Sequence, residues 1–257
     1  MITRKVLAAL FVLTLFTAIS SGAMVHRYSF TSDASDSIGT ANGALMGDAS
    51  ISSGAVQLDG DGDYVNLPGG AIAINGFSSI TFEAWWTHDD QDSWQRVFDF
   101  GAGLDGSGGQ CVFFTPTSGN NTNRLAISND KPSYTGGGEE QAEGSGKLAT
   151  GSYHMAGVVD VTNGQLRYYL NGSPVDSVTL TKTISGLSND YALLGRALYN
   201  DPYLDGSIDE FRIYNTALTN GEVLASFNAG PDVPEPATMS LLALGGLCVL
   251  RRRRRRC

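Results

Sequence analysis

The run Asp59-Gly60-Asp61-Gly62-Asp63 sets three carboxylates at alternate positions, a spacing that can offer oxygen ligands to a hard divalent cation. An EF-hand loop requires glycine at its sixth position and glutamate at its twelfth; Tyr64 and Gly70 stand there, so that chemistry is absent. The run is read as a Gly/Asp turn feeding a strand that begins at Tyr64. Three histidines are present, His26, His88 and His154. His154 lies among apolar residues and reads as a hydrogen-bonded core residue, not a base. No Gly-x-Ser-x-Gly elbow and no His-Glu-x-x-His pair occurs in the sequence. Glycoside hydrolysis with retention needs two carboxyls about 5 Å apart. Glu83 stands alone on its segment, and adjacent Asp209 and Glu210 would point to opposite faces of a strand. No catalytic residue is named, and the chain is expected not to be an enzyme. Aromatic rings can stack on sugar rings. Trp85 and Trp86 sit inside a strand-like run, where most rings are core. Trp94, Tyr199 and Tyr203 lie near loops and are the candidate ligand-binding residues.

Strands must position these groups. Short segments rich in β-branched and aromatic residues recur between Gly/Asn/Asp/Ser clusters. They cover residues 25–30, 55–58, 64–67, 79–87, 96–100, 110–115, 124–128, 153–161, 165–170, 191–195 and 207–214. In 79–87 one face carries Ile80, Phe82, Ala84 and Trp86, the other Thr81, Glu83, Trp85 and Thr87. A tryptophan on each face leaves the core side undecided. Asn171-Gly172 between apolar runs predicts a type I′ hairpin. One helix is expected over 219–228, capped by Thr219 with Glu222 at its third position and an apolar stripe of Val223, Leu224 and Phe227. Residues 133–147 read as a polar surface loop. Many strands and almost no helix predict an all-β, two-sheet antiparallel sandwich over residues 24–230.

Composition narrows the function. Glycine is frequent, 32 of 257 residues. Residues 24–233 hold nine Lys and Arg against 25 Asp and Glu, a balance of −16 before termini. That acidity excludes a nucleic-acid binder and favours cation binding and solubility. Cys111 is the sole cysteine of this region and reads as a small buried hydrophobe, so no intradomain disulfide forms; Cys248 and Cys257 lie in the tail.

The two ends imply export. Residues 1–23 carry Arg4 and Lys5, an apolar core over 6–19 and small residues before an expected cut after Ala23, the plan of a signal peptide. Residues 231–236 form a linker containing Pro234, Glu235 and Pro236. An apolar run over 237–250 and then Arg251, Arg252, Arg253 and three more arginines follow. Fourteen residues of helix span roughly 21 Å, short of a core of about 30 Å. The arginines keep their end cytoplasmic and the bulk of the chain outside. This order of motif, helix and arginine cluster resembles the PEP-CTERM sorting signal. The resemblance implies an exosortase-type processing enzyme as partner. It also implies an inner-membrane intermediate held by residues 237–257, and then the cell surface or extracellular matrix of a Gram-negative-type bacterium.

The segments 58–65, 80–85, 153–158, 169–172, 194–196 and 206–214 resemble landmarks of the laminin-G/concanavalin A-like superfamily, in that family's order, with Tyr153 where tryptophan is usual. The resemblance implies a jelly-roll of two curved sheets. It suggests a structural Ca²⁺ near Asp36 and Asp209, where an early Asp loop meets the last strand. The function expected is a non-catalytic domain binding an extracellular polysaccharide or surface protein. The alternatives are a structural exopolysaccharide-associated protein without a discrete ligand, or a glycan hydrolase or lyase.

Overall fold

The computed structural model describes residues 23–106, 109–131 and 138–231. The expected signal peptide, the residues Pro234, Glu235 and Pro236, and the arginines Arg251, Arg252 and Arg253 lie outside them. Ala23 is the first described residue and is exposed.

The strands, in chain order, are β1 (Met24–Tyr28), β2 (Ala44–Met46), β3 (Ser50–Ser52), β4 (Ala55–Asp59), β5 (Tyr64–Leu67), β6 (Ile80–His88), β7 (Phe98–Gly101), β8 (Cys111–Thr115), β9 (Asn123–Ser128), β10 (Glu140–Gly144), β11 (Gly151–Asp160), β12 (Gln165–Leu170), β13 (Ser173–Thr179), β14 (Tyr191–Leu194) and β15 (Asp205–Tyr214). A four-residue helix α1 (Gly69–Ile72) follows β5, and α2 (Asn220–Ala229) follows β15. The first sheet runs β13-β12-β11-β6-β15-β4-β3, and β1 also pairs with β15. The second runs β10-β9-β8-β7-β14-β5-β2. Each pairing is antiparallel. The expected jelly-roll sandwich of two antiparallel sheets is the fold observed.

Alternation along the strands builds the core. Ile80, Phe82, Ala84 and Trp86 face inward, which settles the side that sequence left open. Phe82, Phe98, Phe100 and Phe211 form a ring cluster with centroids 4.7–6.3 Å apart. Trp86 packs against Tyr153 at 5.5 Å and Phe114 at 6.2 Å. A fully buried side chain of this size contributes about 1.5–3 kcal/mol or more through area removed from water.

Asn171 (φ 49°) and Gly172 (φ 73°) make the expected tight turn between β12 and β13. Gly172 is also required sterically, because a Cβ there would lie 2.7 Å from the ring of Phe227. Helix α2 has the expected capping box: Thr219 accepts from the Glu222 amide at 3.3 Å, and Glu222 accepts from the Thr219 amide at 2.8 Å. Its apolar stripe is narrower than expected. Val223 is buried and Phe227 packs on His154 at 5.4 Å, but Leu224 is 47% exposed. Residues 140–144 correct the reading of 133–147 as loop, since they pair with β9 as the edge strand β10. Its glutamates hid it: Glu140 and Glu143 suit an edge strand that faces water but lower its β propensity.

Candidate functional site

The outer face of the first sheet carries the odd residues of β6, and α2 covers them. Glu83 there is fully buried. It takes hydrogen bonds from Tyr214 Oη at 2.8 Å and Ser226 Oγ at 2.8 Å, meets His154 Nε2 at 2.9 Å, and pairs with Arg212 at 3.5 Å. Arg212 also binds Glu210 on its own strand, stacks 4.3 Å over Trp85, and donates to the carbonyls of Gly230 and Pro231 at 3.2 and 2.8 Å. Arg27 forks onto both Glu210 oxygens at 2.7 and 3.0 Å. Thus Glu83 and Glu210 share one face across neighbouring strands, a pairing that inspection of single strands misses. A β-bulge at Ile208/Glu210 turns Glu210 to that face. Both carboxylates are roofed by helix and consumed by arginines. His154 is the buried, hydrogen-bonded residue expected.

The outer face of the second sheet is different. Residues 195–204, between β14 and β15, lie across it. The two ends of this connection meet, the Leu204 amide donating to Gly195 at 2.9 Å, and together build an aromatic surface. Tyr64, the first residue of β5, lies 6.2 Å from the ring of Tyr203 at 40°, and the Arg196 guanidinium sits 4.8 Å and 5.6 Å from the two rings. Arg196 is oriented by Asp105 at 2.6 Å. Tyr64 and Tyr203 are half-buried, so ring surface reaches solvent. In its middle Asp201 meets Arg96 at 3.3 Å, and the Leu198 amide donates to Asp99 at 3.0 Å. Arg96 stacks 4.1 Å over Phe113 and, with Arg124, flanks Trp94 at 5.3 Å each. Tyr199 stands on the same connection, partly exposed. The fold therefore places Trp94, Tyr199 and Tyr203 around one loop, with Tyr64 as a partner that sequence reading assigned only to a strand.

Asp99 is 1% exposed, and burial pushes its carboxyl up to about 7 although the Arg96 guanidinium, 3.6 Å away, pulls it down. The unfolded value is about 3.9. The folded chain thus binds an extra proton between about pH 4 and 7, and stability falls as pH rises through that window. Asp99→Asn should flatten this fall. The melting temperature of the variant relative to the parent should rise by several degrees between pH 4.5 and 7.5, at about 2–4 °C per kcal/mol for a domain of this size. A relative value independent of pH would show that Asp99 ionises freely in the folded chain.

Beside Tyr64 the Asp/Gly turn closes on a second acidic residue. Oxygens of Asp48, Asp59 and Asp63 all lie within 4.8 Å of one another. Asp63 is 3% exposed and accepts from the Asp48 amide at 2.8 Å. Burial raises its carboxyl above the usual range, and the neighbouring Asp48 adds to this. Crowded carboxylates with an all-oxygen donor set suit Ca²⁺, whose charge relieves their repulsion. The cluster can therefore hold a divalent cation. The run 59–63 reads in sequence as a turn only; Asp48 from the β2–β3 connection completes the cluster with Asp59 and Asp63.

The structure gives Asp36 another task. Its two oxygens accept from the amides of Arg27, Ile38, Gly39 and Ala41 at 2.9–3.3 Å and meet His26 Nδ1 at 2.6 Å. Burial alone would raise this carboxyl; the His26 contact and the amides outweigh it and hold it below the usual range. Asp36 accepts from the Arg27 amide, Arg27 is in register with Arg212, and Asp209 stands three residues before Arg212 on β15. The acidic cluster of the described residues is the one at Asp48, Asp59 and Asp63, and Asp36 and Asp209 are not members of it.

The concanavalin A-like lectin/glucanases superfamily model matches residues 59–224. The chain belongs to this superfamily. The PEP-CTERM protein-sorting motif matches residues 232–255, which include Pro234–Pro236 and the arginines Arg251–Arg255. A comparison with curated proteins finds no match. Among solved structures, domain 4 of a GH43 extracellular arabinanase from Geobacillus stearothermophilus, in complex with arabinotriose, is similar over 80% of this chain and 98% of its own, at 24% identity and TM-score 0.62. The CBM40 of the Ruminococcus gnavus IT-sialidase is similar over 66% and 95%, at 17% identity and TM-score 0.56. A botulinum neurotoxin type C structure is similar over 80% and 51%, at 11% identity and TM-score 0.60. At these identities the likeness concerns the superfamily fold.

Proposed function

We propose that this is an exported surface or matrix protein whose sandwich binds glycan without catalysis, through the outer face of its second sheet. The observation that carries the reading is the Tyr64–Tyr203 surface with Arg196 over both rings. Rings present apolar area to sugar C–H groups while Arg196 and Asp105 offer a donor and an acceptor beside them. Binding groups carried on loops over a rigid sandwich are the usual arrangement. Two fold neighbours, the arabinanase domain with arabinotriose and the sialidase CBM40, support the reading by analogy. The burial of Glu83 and Glu210 under α2 argues for binding over hydrolysis. The matched sorting motif supports processing by an exosortase-type enzyme after export, with the membrane held through residues 237–257. Cell fractionation with a tag before Asp232 tests the sorting; a full-length cytoplasmic product would refute it. Binding of the full chain to arabinotriose and to a panel of bacterial exopolysaccharides tests the domain. Depolymerisation of any of them would convert the reading to an enzyme.

In this reading Asp48, Asp59 and Asp63 hold a structural Ca²⁺ that stiffens the turn beneath Tyr64. A cation at 100 times its dissociation constant adds about 2.7 kcal/mol to stability, or roughly 5–10 °C in melting temperature. Chelation of the full chain should remove this increment and Ca²⁺ restore it. Asp63→Asn should abolish the response, and Asp209→Asn should keep it. A response lost only in Asp209→Asn would move the cation to the junction near Asp36.

A further inference from the structure

We propose that a cleft on the opposite sheet, between the β11–β12 turn and the start of α2, is a second and independent saccharide-binding site. The cleft is about 670 Å³ and runs into another of about 490 Å³, with Gln165, Arg167 and Asn220 lining both. Each volume lies within the range of about 300–1,000 Å³ usual for small-ligand sites. The lining of the larger one selects the ligand class. Ala217 is its one apolar side chain, so it offers no pocket for an apolar peptide anchor. Its charges cancel internally: Arg167 Nη2 binds Asp160 at 3.1 Å and Nη1 binds Tyr169 Oη at 2.8 Å, so a charged ligand gains little. What remains are hydroxyls and carboxamides, which both donate and accept, the match for a neutral polyhydroxylated chain.

Beneath the lining, several polar atoms are buried without a hydrogen-bond partner among the described residues. Ser79 is 5% exposed, and among the described residues its Oγ has no partner; the same holds for Asn215 Oδ1, Thr216 Oγ1 and Arg167 Nε of residues that line the cleft. A polar group left unpaired in the interior is destabilising. The N-terminus of α2 is already capped by Thr219 and Glu222, so the site does not depend on it. The joined clefts extend along β12 toward β13, which suits several successive units of a linear chain.

Hydrogen exchange of the full chain in a polyoxyethylene detergent, with maltohexaose and with cellohexaose, tests this. Exchange in peptides spanning 160–167 and 215–221 should slow several-fold with at least one of the two sugars. Gly221→Trp should abolish that protection and lower affinity at this site at least tenfold. A Cβ at 221 meets nothing within 4 Å, so the variant should fold; the double variant Asn163→Ala/Gln165→Ala, at exposed positions, gives the same readout without added bulk. Protection that persists in both variants, or no protection with either sugar, overturns the proposal. Protection confined to 59–64 and 195–204 also overturns it while leaving the Tyr64–Tyr203 site standing; protection at the cleft alone does the reverse.

Discussion

Arg212→Met should destabilise the domain by about 3–5 kcal/mol, the cost of breaking a buried ion pair by removing one partner. Arg212 is 1% exposed and neutralises two buried carboxylates, Glu83 and Glu210. Methionine preserves much of the volume over Trp85 but leaves Glu83 facing His154 and two hydroxyls, and Glu210 with Arg27 alone. The variant also loses both bonds to Gly230 and Pro231, which hold the end of the described chain against the sheet. Lys182→Met, which breaks the Asp130 pair at a half-buried site, should cost less than about 1 kcal/mol. Denaturant titration separates the two. Adding Glu83→Gln to Arg212→Met should recover part of the loss, because the uncompensated charge is removed. A loss below about 1 kcal/mol for Arg212→Met would mean that the network is hydrated and contributes little.

Tyr203→Ala should lower affinity for the bound polysaccharide tenfold or more, a loss of at least about 1.4 kcal/mol, as for an aromatic anchor at the centre of an interface. Removing Tyr203 strips one of the two rings under Arg196 and frees that guanidinium to move. Tyr64→Ala should act in the same direction, and the double variant should lose less than the sum because both rings serve one surface. Leu224→Ala, on the exposed side of α2, should change nothing. A single module is expected to bind at roughly 10⁻⁴ to 10⁻³ M, so calorimetry at high concentration is the suitable measurement. Unchanged affinity in a Tyr203→Ala protein that melts like the parent would remove this surface from the binding site. Many copies on one surface would multiply the effective strength.

Local order in the chain was enough for the sandwich, the β12–β13 hairpin and the capped α2, because turn chemistry, alternation and capping act over a few neighbouring residues. It was enough as well for the sorting motif, where Pro-Glu-Pro, an apolar run and arginines follow one another. The short strands β2 and β3 and the glutamate-bearing β10 were missed. Pairing with a neighbour creates such edges, and intrinsic preference does not announce them. Tertiary structure alone decided which face of β6 is core, since Trp85 and Trp86 are equally apolar and only the position of α2 covers the former. It alone brought Asp48 to Asp59 and Asp63, joined Glu83 to Glu210 across two strands, and set Tyr64 beside Tyr203. Each of these sites unites residues from separate strands or connections, and their proximity comes from strand order, which no spacing along the chain encodes.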